Sequence, residues 1–170
     1  MESIEQLITA RMTARRIGES DFADLLRLHQ DSEVALTLGG TRSEAEARGL
    51  LRDALAHWER RGYGIWIFRD RNDGGFIGRA GLRAVTIEGE EMVELLYALM
   101  PQYWNRGFAS EMARAILEVA TQHIKLDEVV AFTLTGNHAS RRVMEKAGFL
   151  YDRDITWAGL PHVLYRRKLA

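Results

Sequence analysis

The sequence predicts one α/β domain, built on a central sheet of mixed direction covered by helices. Three observations predict it. Apolar spacing is helical in the first third of the chain, strand-like between Tyr63 and Met100, and helical again after Gly107. Glycine supplies most of the punctuation, since the chain has 15 Gly against 2 Pro, and the elements fall between the glycines. A strand, a helix and a strand follow one another from Val93 to Leu134, a unit that should cross over right-handed and leave its two strands parallel. No Pro/Ser-rich linker, low-complexity tract or repeat divides residues 1–170, so a single domain is expected.

Each element has a local reason. Arg11 to Ile17 alternates loosely and reads as the first strand. Ser20-Asp21 offers an N-cap before Phe22, Leu25, Leu26 and Leu28, and Thr41 to Ser43 opens a second helix through Ala47, Leu51, Ala54 and Trp58 that stops at Gly62. Tyr63 to Arg69 is aromatic and β-branched, and Asn72-Asp73-Gly74-Gly75 turns it into Phe76 to Val85, a hairpin. Val93 to Met100 is the next strand, closed by Pro101. After Gly107, Met112, Ala113, Ile116 and Val119 share a helix face. Glu128 to Leu134 is a strand, Asn137 to Ala147 a helix ended by Gly148, and Leu150 to Thr156 and His162 to Leu169 are two last strands. The predicted order is β-α-α-β-β-β-α-β-α-β-β.

Composition excludes several function classes. With 23 Lys+Arg against 24 Asp+Glu, no strong field points to nucleic acid or an anionic membrane. There is no cysteine, which removes disulfides, thiolate metal sites and cysteine nucleophiles, and no metal is expected. The acidic start and the lack of a long apolar run predict a cytoplasmic protein without a membrane partner.

The chemistry-bearing segment joins the Val93 strand to the long helix through Pro101-Gln-Tyr-Trp104-Asn-Arg106-Gly107-Phe108-Ala109-Ser110-Glu111. The first amides of a helix lack intrahelical partners and lie at the positive end of its dipole, so this junction suits a phosphate or pyrophosphate. Gly107 and Ala109 are small enough to let such a group reach the backbone, and Arg106 can add charge-assisted hydrogen bonds. A Gly-x-Ala turn alone is no more than an ordinary strand-to-helix connection. It is neither a dinucleotide fingerprint nor a Walker loop.

Its context is more specific. Glu94, Tyr97, Pro101, Tyr103, Trp104, Gly107, Ala109 and Glu111 resemble the acetyl-coenzyme A motif of the GNAT superfamily, in its RimJ/RimL-like branch of ribosomal-protein N-acetyltransferases. Asn137-His-Ala-Ser140 with Glu145-Lys146-Ala-Gly148-Phe149 resembles the second block of that branch, and Thr9 to Arg15 and Ile77-Gly78-x-x-Gly81-Leu82 agree in order. The resemblance implies a mostly antiparallel sheet whose two parallel strands splay. It also implies acetyl-coenzyme A as co-substrate, with its pyrophosphate on the amides of Arg106, Gly107, Phe108, Ala109 and Ser110. The pantetheine arm would lie along Ala98 and Leu99, with Asn137 and Ser140 facing it and Trp104 either touching it or packing the loop. Asn137 also reads as an N-cap.

The implied reaction is direct acetyl transfer to an amine, either a protein N-terminus or a small molecule, by a monomer or homodimer. A non-catalytic acyl-coenzyme A sensor is the alternative, and it would release no thiol. Many GNAT enzymes protonate the leaving thiolate with a tyrosine, but Met144 stands where it would align, so Ser140 is the expected acid. Glu94 is either a base acting through water or an ion-paired strand residue. The acidic set Glu33, Glu88, Glu90, Glu91, Asp152 and Asp154, if it lines the acceptor pocket with His162, would suit a cationic acceptor.

Overall fold

The structure is a computed structural model and describes residues 3–169. Its elements are β1 (Gln6–Ile8), β2 (Met12–Arg16), α1 (Phe22–Gln30), α2 (Ser32–Leu38), α3 (Glu44–Arg61), β3 (Ile65–Asp70), β4 (Phe76–Ile87), β5 (Glu90–Leu99), α4 (Phe108–Val119), β6 (Glu128–Leu134), α5 (His138–Lys146), β7 (Leu150–Trp157) and β8 (Leu160–Lys168). Eight strands form one sheet in the order β1-β2-β3-β4-β5-β6-β8-β7. Neighbours are antiparallel except β5 and β6, the parallel pair. That pair shares a single register match, Glu94 with Val130, and the strands then part.

Two elements differ from the expectation. β1 lies upstream of the predicted first strand and pairs Gln6 with Arg15; three residues are too short to show an alternation. α2 breaks away from α1 because Asp31 turns extended, and its carboxylate accepts the Glu33 and Val34 amides at 2.9 and 3.0 Å. α3 starts on the capping box Ser43–Glu46, whose reciprocal bonds are 3.1 and 2.7 Å, and ends at left-handed Gly62.

The register of β4 on β5 decides which side chains share a face. Arg79, Gly81 and Arg83 stand opposite Ala98, Leu96 and Glu94, while Ala80 and Leu82 stand opposite Tyr97 and Leu95. The first set faces α1 and α3, and the second faces α4 and α5. Gly78 makes the close pairing possible at the end of β5: a Cβ there would lie 2.1 Å from the Ala98 carbonyl oxygen and 2.8 Å from the Leu99 Cα. The core fills both faces, with Trp66, Phe68, Leu82, Leu95, Met112, Ile116 and Tyr165 all fully buried.

Candidate active site

The junction after β5 is built to leave amides free. One 3-10 turn, Pro101–Tyr103, leads into Trp104, whose indole Nε1 donates to the Leu99 carbonyl at 2.9 Å. Trp104 therefore braces the strand end while also lining the cavity. Asn105 and Gly107 are both left-handed, with φ of 58° and 81°. No side chain caps α4, and the first intrahelical bond after Gly107 is Glu111 N–H to the Gly107 carbonyl at 3.1 Å. The amides of Phe108, Ala109 and Ser110 precede that bond and point out of the helix end. Phe108 is buried and lines the cavity.

Residues about a hundred positions away hold this loop. Glu111 accepts the Arg11 Nε at 2.9 Å, the Arg11 amide at 3.1 Å and the Thr9 hydroxyl at 2.6 Å. Burial opposes its ionisation, but those bonds from Thr9 and Arg11 outweigh it and hold the carboxyl below its usual range. Arg11 also donates to the Arg106 carbonyl at 2.8 Å and lies 3.9 Å over the Phe108 ring. The Arg106 side chain folds back, donating to the Gln102 carbonyl at 3.3 Å, and is absent from the cavity wall.

Across the splay, α5 presents its first turn. Asn137 is its N-cap, accepting the Ser140 amide at 3.2 Å, and its own amide group donates to the Thr133 hydroxyl at 3.0 Å. The Ser140 hydroxyl lies 2.9 Å from the Tyr97 hydroxyl, which also reaches the Ser140 carbonyl at 3.1 Å. Burial pushes the Tyr97 phenol up to about 12, against a smaller opposing effect of Ser140, so Tyr97 stays protonated. Tyr97 was visible in the sequence only as a motif position; its link to Ser140 needs the two strands and α5 together. Met144 is buried in the cavity wall, and Arg142 and Lys146 from the same helix line it too.

The opposite face of the sheet carries different chemistry. Glu94 is only 4% exposed, and one of its oxygens accepts both Nε and Nη2 of Arg83 at 3.0 and 2.6 Å. Burial raises its pKa, and Arg83 opposes that rise. His162 lines the cavity, but Glu33, Glu88, Glu90, Glu91, Asp152 and Asp154 do not. Several are tied elsewhere: Glu88 and Asp152 pair with Arg153, Asp152 and Glu90 with Arg166, and Asp154 accepts the Tyr151 hydroxyl. The expected acidic acceptor wall is corrected here: the charged groups at this end are Arg42, Arg79 and Arg83 beside the single acid Glu94.

One cavity of about 670 Å³ joins these parts. It runs from the α4 start and Ser140, through the gap between β5 and β6, to Glu94 and α1–α3. An activated acyl donor can enter from one face and an acceptor from the other, meeting in the gap. A through-going gap beside a free helix start suits a transferase whose donor carries a phosphate-bearing handle.

The comparisons name the family. The model of the acetyltransferase (GNAT) domain matches residues 11–150, and the chain belongs to the GNAT acetyltransferase family. The uncharacterized protein YkkB of Bacillus subtilis is 30% identical over 99% of this chain and 98% of its own. A solved acetyltransferase from Agrobacterium tumefaciens superposes with a TM-score of 0.84 at 25% identity, covering 98% of this chain and 96% of that one. RimL, a ribosomal L7/L12 α-N-protein acetyltransferase solved in complex with coenzyme A, shares the fold, with a TM-score of 0.78 at 18% identity, covering 96% and 97%. The protein is thus an acetyltransferase. Among the described residues no helix is long and apolar enough to cross a membrane.

Proposed function

We propose that this acetyltransferase moves an acetyl group from acetyl-coenzyme A directly to a primary amine. The observation that carries the proposal is the cavity through the sheet, with the α4 start and Ser140 at one mouth and Glu94 at the other. The residues fit the coenzyme: three free amides behind small Ala109 suit a pyrophosphate, and the diverging edge of β5 suits the amide groups of a pantetheine arm. Arg142 and Lys146 add positive charge on the same side. When bound, acetyl-coenzyme A supplies an acetyl group activated as a thioester.

This chain's residues then do three things. Backbone amides at the end of β5 polarise the thioester carbonyl. Ser140 donates to the sulfur as negative charge grows there, and Tyr97, protonated and 2.9 Å away, keeps the Ser140 hydroxyl oriented. Glu94, balanced between burial and Arg83, takes a proton from the amine through water. No acyl-enzyme is needed, and the cavity wall offers no cysteine.

A panel of amines read by thiol release tests the activity, and Ser140→Ala tests the mechanism. Turnover should fall by roughly 10²-fold, the usual worth of one general acid, while coenzyme affinity changes little. Wild-type turnover in Ser140→Ala, with chemistry limiting, would return Ser140 to a helix-start role.

A further inference from the structure

The acceptor mouth holds a cation that no carboxylate among the described residues pairs with directly, although Glu94, itself bound to Arg83, attracts it from farther off. Nη1 of Arg79 is shielded from solvent and has no hydrogen-bond partner among the described residues. Its neighbour Arg83 is already paired with Glu94. No carboxylate among the described residues lies within ion-pair distance of Arg79 or of Arg42, which lines the same wall. His29 adds no positive charge: burial first, then Arg79 and Arg42, push its pKa down to about 3. A donor shielded from water and left without an acceptor is costly, and a planar guanidinium is satisfied best by a carboxylate taken two bonds at a time.

Position gives this cation a purpose. Arg79 stands opposite Ala98, level with the end of β5 where the splay opens, and on the α1–α3 face. Between these charged groups the same cavity is also lined by the apolar side chains of Val34, Leu38, Leu50 and Leu160.

Resting on the amine-acetyltransferase reading, we propose that the acceptor is an amino acid with an apolar side chain, whose carboxylate is received by Arg79. This turns the selectivity away from polyamines and other acceptors that bring only positive charge.

Matched acceptors test it: leucine against leucinamide, and phenylalanine against phenylalaninamide, with ethanolamine phosphate as a further arm. Each is measured by thermal shift with coenzyme A present and by KM in thiol release, on the wild type, Arg79→Met and Arg79→Lys. The acids should bind wild type at least about tenfold better than the amides, the range expected when one charge-assisted pair is lost. Arg79→Met should abolish that preference, Arg79→Lys should keep part of it, and Arg79→Met should melt no lower than wild type because no internal bond is removed. Equal binding of acid and amide, no binding of either, a preference that survives Arg79→Met, or selection of the phosphate alone would each overturn the assignment. Failure of the underlying reading looks different: coenzyme A itself would not bind, or no amine of any kind would release thiol.

Discussion

Tyr97 and Ser140 meet across the splay from elements 43 positions apart in the chain. The phenol, pushed up to about 12 chiefly by burial, is neutral in the folded protein, whereas an unfolded tyrosine ionises near its ordinary value of about 10. The folded state therefore binds more protons between those two values, and stability falls as pH rises through that window; below it the contribution is complete. Tyr97→Phe removes this titration. Denaturant midpoints from about pH 9 to 11.5 should fall less steeply in the variant than in wild type. Parallel pH dependences would show that Tyr97 does not carry the shift. At this scale Gly107, Ala109, Asn137 and Ser140, legible in the sequence as motif positions, all line the cavity, whereas Arg106 from the same motif does not. The sequence was silent about Arg79 and Arg83, because an arginine at alternate strand positions reads as a solvated face until the opposing helices are in place.

The start of α5 shows how an element can serve a site while looking ordinary. Asn137 caps the helix and fixes Thr133, so both ends of its side-chain amide are occupied. Asn137→Ala should lower stability by about 1 kcal/mol, the usual worth of a cap, and should also weaken coenzyme binding through displacement of Ser140. Melting temperature and calorimetry on one sample separate the effects; intact affinity with lowered stability would leave only the cap. Long elements with clear periods or strong caps were readable, among them α3 with its capping box and β6, whose bounds match the expectation. β1 and α2 were not, since a three-residue strand exists only by pairing and α2 depends on one extended residue, Asp31. The brace of Thr9, Arg11 and Glu111 under the α4 loop was hidden for the same reason, being a contact over about a hundred residues.

On the scale of the whole molecule, β5 and β6 share a single register pair, and one cavity reaches both faces of the sheet where they part. The element order predicted the parallel unit, but the splay came only with the family resemblance, since no local pattern encodes where two strands part. The central claim is that the donor sits on the start of α4, and a charge placed at Ala109 tests it most directly. Gly107 is the poorer probe because its φ of 81° would strain any other residue. An acid in the first turn of a helix complements the dipole, so Ala109→Glu should leave thermal stability unchanged or slightly raised. The same carboxylate stands where the pyrophosphate would bind. Titration calorimetry with coenzyme A should show affinity falling by more than about tenfold in a variant that melts like wild type, the loss of roughly one charge-assisted interaction. Unchanged affinity in that folded variant would contradict the account.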